Sequence, residues 1–391
     1  MTDCLLTYAR LPGRSGLHHI YFEGGAIAAI TLASPAPEAL PRVPQFDFEG
    51  DWLSLGGIDL QINGGLGLAF PDLHSDDHPN LDKIAAYLWD QGVDGFCPTL
   101  VTTSIQKIHQ ALAVIAASPL RHPQPHRAQI LGVHLEGPCL NPSKRGAHPA
   151  AHLQPLSREM MASIIGDYGD LVKIVTLAPE LDPSGDAIAF LTAQNIIVSL
   201  GHSLATASDA HQAFDQGATM VTHAFNAMPP LHHRDPGLLG AALTRATVRC
   251  GVIADGEHVC PLMLDLLLRM ERDGVFLVSD ALAPIGLPDG DYPWDDRTIT
   301  VTHGTARLDA HTLAGTTLPL LAGVENLVRW GICEPGRAIA LATEAPRRAI
   351  AQAGLTRGQT GPFLRWSRHP QTAALHWQRF TLPSNEPRPS R

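Results

Sequence analysis

Residues 196–228, IIVSLGHSLATASDAHQAFDQGATMVTHAFNAM, decide the fold. Two apolar runs rich in β-branched residues each end on a histidine, His202 and His223. Between them Thr206 to Gln216 has helical spacing, with Ala207, Ala210, Ala213 and Phe214 on one side. Thr206 followed three positions on by Asp209 predicts a capping box, and Gly217 stands where a helix end favours a positive φ. The stretch therefore reads as strand, helix, strand. Two parallel strands joined by a covering helix deliver both imidazoles to the carboxyl edge of one sheet, where α/β proteins bind ligands. A lone histidine at a buried strand end is more often a hydrogen-bonded core residue, but a pair at one edge points to a metal. A catalytic site for such an ion usually takes three protein groups.

Outward from this unit the chain repeats the same rhythm. Strand-like segments begin at Gly56 (GGIDLQI), Gly92 (GVDGFCPTL), Gln129 (QILGVHLEG), Val172 (VKIVTLAPE), Ile196, Ala218, Arg249 (RCGVIADGEH) and Gly274 (GVFLVSDAL), most of them followed by a helix-like segment. Eight such units predict a TIM-type (β/α)8 barrel, an α/β fold whose strand ends converge on one face. Those ends are polar: Gln61 and Asn63, Thr102 and Thr103, Glu136, Glu180, His202, His223, Asp255 and Asp280. Strands giving way to solvated loops explain polar ends in general, but not the predominance of histidines and carboxylates. Residues 1–53 read instead as short strands broken by Gly and Pro, with a proline-punctuated stretch from Glu38 to Pro44. PFLRWSR and TAALHWQRF, near the C terminus, read as two late strands. The expected organisation is a barrel over 54–352 and a small β-domain built from both chain ends, 1–53 and 353–391, with SNEPRPSR fraying as a tail.

At 391 residues, 45% apolar and 17% charged, the chain has material for a large core and too little charge for large-scale disorder. A net charge of −10 argues against non-specific nucleic-acid binding while leaving room for a local basic pocket. Six cysteines are scattered without a C-x-x-C pair, so neither a zinc knuckle nor a redox motif is in view and a reducing cytoplasm is expected. The start, MTDCLLTYARLPG, lacks the features of a secretion signal, and no stretch reaches the ~18 apolar residues of a membrane span. A cytoplasmic protein without membrane contact is the expectation.

Glu136, at the end of strand three in GVHLEGP, is the leading third ligand beside His202 and His223. His134 shares its parity, since side chains two apart on a strand face the same way, and is assigned a supporting or core role. Asp280, in FLVSDALAP at the end of strand eight, is placed to take and return a proton; its plain alternative is a loop-capping aspartate.

These residues carry a resemblance. The stretches GGIDLQINGG, GVHLEGPCLNPSKRGAHPAAH, VSLGHSLAT, THAFNAMPPLHHRDPGLLGA, GVIADGEHV, VSDALAPIG and LAGTTLPLLAGVENLV follow the motif order of the N-acetylglucosamine-6-phosphate deacetylases, and the chain resembles that amidohydrolase family across nearly its whole barrel. The resemblance implies a barrel paired with a small β-sandwich. It implies a metal held by Glu136, His202 and His223, with Asp280 as the catalytic aspartate. It implies substrate contacts at Ala147, His148, Asn226, Ala227, Arg234, His258 and the segment Leu313, Ala314, Gly315 and Thr316. His148 is expected to polarise the amide carbonyl, and Arg234 and His258 to bind phosphate. The chemistry implied is metal-assisted hydrolysis of an acetamide, giving glucosamine 6-phosphate and acetate. The galactosamine epimer is an alternative substrate; a non-catalytic sugar-phosphate sensor is the alternative from another class, and retention of Asp280 argues against it. A homodimer is the expected assembly.

Strand one, where many amidohydrolases place His-x-His for a second ion, carries Gln61 and Asn63 here. Neutral amides are poor ligands beside imidazole and carboxylate, so one divalent ion per chain is expected, zinc foremost and iron next. The two amides then serve either the substrate or the loop backbone. The chain departs from the family in SLGGID, which lacks a proline common there, in its loosely matching C-terminal strands, and in LHHRDPG, which adds His232 and His233.

Overall fold

The strand-like runs of the sequence form a parallel barrel in a computed structural model of the chain, which describes residues 3–33, 42–271, 273–310 and 312–382. Its strands are β1 (Gly57–Ile62), β2 (Val93–Val101), β3 (Gln129–Ile130 continued by Val133–Glu136), β4 (Val172–Leu177), β5 (Ile197–Leu200), β6 (Met220–Val221), β7 (Arg249–Val252) and β8 (Val275–Leu277). They neighbour one another in that order. The ring closes where Asp280 N–H donates to the Gln61 carbonyl at 2.9 Å and Asn63 N–H to the Ala281 carbonyl at 2.7 Å. β1 is buried along its whole length, as a strand covered on both faces must be.

The covering helices bury one stripe each. His78–Asp90 buries Leu81, Ile84, Ala85 and Leu88, the i, i+3, i+4, i+7 face of an amphipathic helix. Ala207–Asp215 starts at the expected capping box: Thr206 Oγ1 accepts from Asp209 N–H at 3.3 Å while Asp209 Oδ2 accepts from Thr206 N–H at 2.9 Å. Gly217 takes φ +116 just beyond the helix end. After β8 comes an antiparallel sheet of four strands, Gly290–Trp294, Arg297–Thr302, Thr305–Arg307 and Leu313–Thr316, packed on Leu282, Ile299, Val301 and Ala306. The sequence marks only its last strand, the LAGT segment.

The barrel and its inserted sheet make up one compact unit, Ile58–Gly323; Met1–Gly57 and Val324–Arg391 make up the other. In the chain-end unit a four-stranded sheet runs in the order Ala26–Leu32, His18–Glu23, Cys4–Ala9, Gln45–Asp47, and a three-stranded sheet pairs Leu375–Phe380, Phe363–Arg368 and Trp52–Ser54. They share a core of residues from both termini, including Leu6, Ile20, Phe22, Phe48, Leu53 and Phe363, so the chain ends do form one β-sandwich. The helix Pro335–Ala349, grouped with the barrel on the sequence, clusters with this unit, where Arg347 Nη1 donates to the Gly56 carbonyl at 2.7 Å. The SNEPRPSR tail and residues 38–41 of the proline-punctuated stretch lie outside the described residues. No helix among the described residues is long and apolar enough to cross a membrane.

Candidate active site

At the carboxyl ends of β3, β5 and β6 three buried side chains meet. His223 Nε2 lies 2.9 Å from His202 Nε2 and 3.1 Å from Glu136 Oε1, and His202 Nε2 lies 3.2 Å from that same oxygen. Two ring nitrogens this close repel unless a proton or cation is shared between them. Ligands about 2.0–2.1 Å from a tetrahedral ion sit roughly 3.3 Å apart, so the donor set fits a divalent cation. His202 Nδ1 donates to the Lys144 carbonyl at 2.9 Å, which leaves the lone pair on Nε2. Burial alone would raise the Glu136 pKa, but the His202 and His223 rings against it, which share a proton with the carboxylate when no ion is bound, outweigh burial and hold the carboxyl well below the usual range. His202, His223 and Asp280 all adopt left-handed backbone (φ +48, +27 and +50), a sparsely populated region that tends to mark sites fixed by their surroundings. Next to Glu136, Gly137 has φ +82, and a Cβ there would run into Thr102 Oγ1.

Asp280 faces this cluster. Its Oδ1 accepts from Asn63 Nδ2 at 2.8 Å and from Gln61 Nε2 at 3.2 Å, and Gln61 Nε2 also donates to both Glu136 oxygens at 3.1 Å. An amide nitrogen between two carboxylates settles which end of Gln61 faces them. Gln61 bridges the two carboxylates and is not among the residues bordering the cavity; Asn63 does border it, its Oδ1 buried without a partner among the described residues. Burial, then the charge of Glu136, pushes the Asp280 pKa up to about 6.

His148 Nδ1 accepts from Thr102 N–H at 3.3 Å and pairs with Thr102 Oγ1 at 2.8 Å. A neutral ring accepting at Nδ1 carries its proton on Nε2. Burial, then the neighbouring His202, lowers the His148 pKa to about 3, so neutral it is. Glu136, His148 and His202 also bring one ligating atom each within 4.8 Å of one another, which makes His148 a rival to His223 as third ligand. The set with His223 is tighter, within 3.2 Å, and a ring whose free nitrogen is protonated has no lone pair to give, which favours His223 as third ligand and leaves His148 an N–H to donate. One layer down, His134 Nδ1 pairs with Thr99 Oγ1 at 3.2 Å and Nε2 with Thr176 Oγ1 at 2.7 Å. Burial lowers its pKa to about 4.

The cluster opens into a cavity of about 880 Å³. Ala147, Asn226, Ala227, His258, Leu313 and Ala314 border it, and His258 Nδ1 is held by Asp255 Oδ2 at 2.7 Å. Gly315 and Thr316 do not: they run behind it as a strand, with Thr316 Oγ1 donating to the Ser279 carbonyl at 3.1 Å. Arg234 is not brought to it either. It is exposed in its loop, with Nη1 2.8 Å from His233 Nε2. Residues not singled out on the sequence complete the walls: Lys144, and Trp294 and Asp295 of the inserted sheet. Lys144 had a signal in its place four residues before His148; the inserted sheet had little beyond LAGT.

A closed parallel barrel with a carboxylate, two imidazoles and a facing aspartate at its carboxyl mouth defines a hydrolase of the amidohydrolase superfamily. The chain is 39% identical over 314 residues to an N-acetylglucosamine-6-phosphate deacetylase of Bos taurus, covering 78% of this chain and 76% of that one. It is 34% identical over 365 residues to an N-acetylgalactosamine-6-phosphate deacetylase of Escherichia coli O157:H7, covering 93% of each. Its structure is similar, at TM-score 0.82 and 25% identity over 96% of this chain and 97% of the other, to an Asp-to-Ala mutant of N-acetyl-D-glucosamine-6-phosphate deacetylase from Mycobacterium smegmatis in complex with N-acetyl-D-glucosamine-6-phosphate. The chain belongs to the N-acetylglucosamine-6-phosphate deacetylase family and is an enzyme. No protein-family profile matches it.

Proposed function

We propose that the protein hydrolyses the acetamide of N-acetyl-D-glucosamine 6-phosphate to D-glucosamine 6-phosphate and acetate, with one divalent cation per chain, zinc foremost and ferrous iron next, held by Glu136, His202 and His223. The observation that carries this reading is the meeting of those three donors within 3.2 Å, beside Asp280, in a cavity of about 880 Å³. A bound divalent cation supplies Lewis acidity, lowering the pKa of water and polarising a carbonyl. Asp280, tethered by Asn63 and Gln61, takes the proton of the attacking water and returns it to the departing amine. His148 donates its Nε2–H to the carbonyl oxygen as charge gathers there, a role worth roughly 10²–10³ in rate. His258 and the Asn226–Ala227 wall take the phosphate. Arg234, exposed and outside its own cavity, is available to the cavity of a second copy, which supports a homodimer. The setting is cytoplasmic amino-sugar catabolism.

The epimer, N-acetylgalactosamine 6-phosphate, is a second reading favoured by the length of the match to the Escherichia coli relative. Acetate release measured over phosphorylated and unphosphorylated N-acetylglucosamine and N-acetylgalactosamine ranks the two, and metal analysis on the same preparation is expected to give close to one equivalent. Absence of turnover on every sugar would leave a sensor; two equivalents, both needed for activity, would overturn the single-ion site.

A further inference from the structure

The cavity wall beside Asn226 and Ala227 carries a cation with no role so far. Among the described residues two lysines and no arginine line the cavity. Lys107 is neutralised: its Nζ lies 2.6 Å from Asp72 Oδ1. Lys144 is not. Its Nζ makes one hydrogen bond, to the neutral Met228 carbonyl at 3.2 Å, and pairs with no carboxylate among the described residues. An ammonium has three protons to donate, so two remain. Beside it the N–H of Ala227, a residue held in left-handed backbone at φ +52, donates to no acceptor among the described residues. Lys144 is also fixed at its root, because its carbonyl accepts the Nδ1 proton of His202.

We propose that Lys144 is the cavity's own anion-binding residue, its ammonium taking the phosphate of the sugar substrate next to the Ala227 amide. This rests on the sugar-phosphate reading given above. A dianionic phosphate is a stronger acceptor than a backbone carbonyl, and a charge-assisted hydrogen bond in a partly enclosed cavity is worth more than a neutral one. The residue confers selectivity for phosphorylated over plain sugar, and adds a cation from the same chain to the guanidinium that a second copy's Arg234 would bring.

The test is steady-state acetate release from N-acetylglucosamine with and without its 6-phosphate, by the metal-loaded native enzyme, Lys144→Gln and Lys144→Arg. Lys144→Gln is expected to raise KM for the phosphorylated sugar roughly tenfold or more with kcat within about threefold, and so to erode the preference for phosphate, while Lys144→Arg restores most of it. Protection of each protein against thermal unfolding by inorganic phosphate gives a readout independent of turnover, and is expected to weaken in Lys144→Gln alone. Undiminished phosphate preference and protection in Lys144→Gln, or equal losses on both sugars, would overturn the assignment while leaving the deacetylase reading intact. A native enzyme with no preference for the phosphorylated sugar would instead overturn the sugar-phosphate reading itself.

Discussion

Two buried polar layers occupy the barrel, and they differ in whether their hydrogen bonds close among themselves. In the lower layer His134 is bonded on both ring nitrogens, and Thr176 continues to Thr222 at 2.7 Å and Thr222 to Ser199 at 2.6 Å. In the upper layer Glu136, His202 and His223 turn acceptors toward one another, and Asn63 Oδ1 and His223 Nδ1 have no partner among the described residues. His134 and Glu136 stand two residues apart on one strand, both buried. A satisfied polar network makes a rigid platform, whereas the unmet one above it has the donor set proposed to receive a cation. Between these two layers, burial of polar groups does not separate the candidate site from its support; incomplete pairing does.

Removing a donor from the upper layer should have the largest effect. Glu136→Ala or His223→Ala is expected to lose the metal and at least ~10³ in activity, seen by elemental analysis and acetate release. His148→Ala should keep the metal while turnover falls ~10², and the opposite pattern for His148 and His223 would exchange their roles. Asp280→Asn is expected to keep metal and substrate binding while kcat falls by at least ~10²; metal loss would make Asp280 a ligand instead. A smaller and graded effect comes from pH. The proposed role of Asp280 requires its carboxylate, so kcat/KM should fall as pH drops through a pKa at or below about 6, because a nearby cation lowers a carboxyl pKa further. An acid limb centred above pH 7 would assign it to another group. The lower layer should respond least in activity: His134→Asn is expected to leave kcat within about threefold while lowering unfolding stability by about 1–3 kcal/mol in denaturant melts. A His134→Asn enzyme that folds stably but loses its metal would erase the distinction between the layers.

The sequence carried the barrel because each of its eight strands is a β-branched run ending in polar residues, and a parallel barrel needs little more than that repeat. Parity on β3 placed His134 and Glu136 on one face, but parity reports direction, not partners; only the approach of Thr99 and Thr176 shows that the histidine is already satisfied. Gln61 was marked as a polar strand end, yet its bridging of Glu136 and Asp280 depends on side chains distant in the chain. The inserted sheet is weakly marked because Thr305–Arg307 has only three residues and the Gly290–Trp294 strand has no residue buried outright to set a period, although Arg297–Thr302, with Ile299 and Val301 buried, does carry an alternation. Arg234 was given to the cavity by resemblance to a motif, which fixes its place in the loop and not the direction of its guanidinium.

His202 anchors the loop from Asn141 to His148 at two points: Asn141 N–H donates to the His202 carbonyl at 2.9 Å, and His202 Nδ1 donates to the Lys144 carbonyl at 2.9 Å; Glu180, Met228, Arg297 and Thr102 hold it elsewhere. Arg145 Nη1 closes the far end on the His148 carbonyl at 2.7 Å. Holding the His202 ring still thus steadies the Asn141–Lys144 part of the loop, so a share of its ordering entropy is met when the cation binds and need not be met again when the sugar arrives. Metal and sugar are then coupled ligands, each raising the affinity of the other by the same factor. The Asn141 amide is the reporter of that coupling, and its hydrogen should exchange with solvent more slowly in the metal-loaded enzyme than in the chelated one.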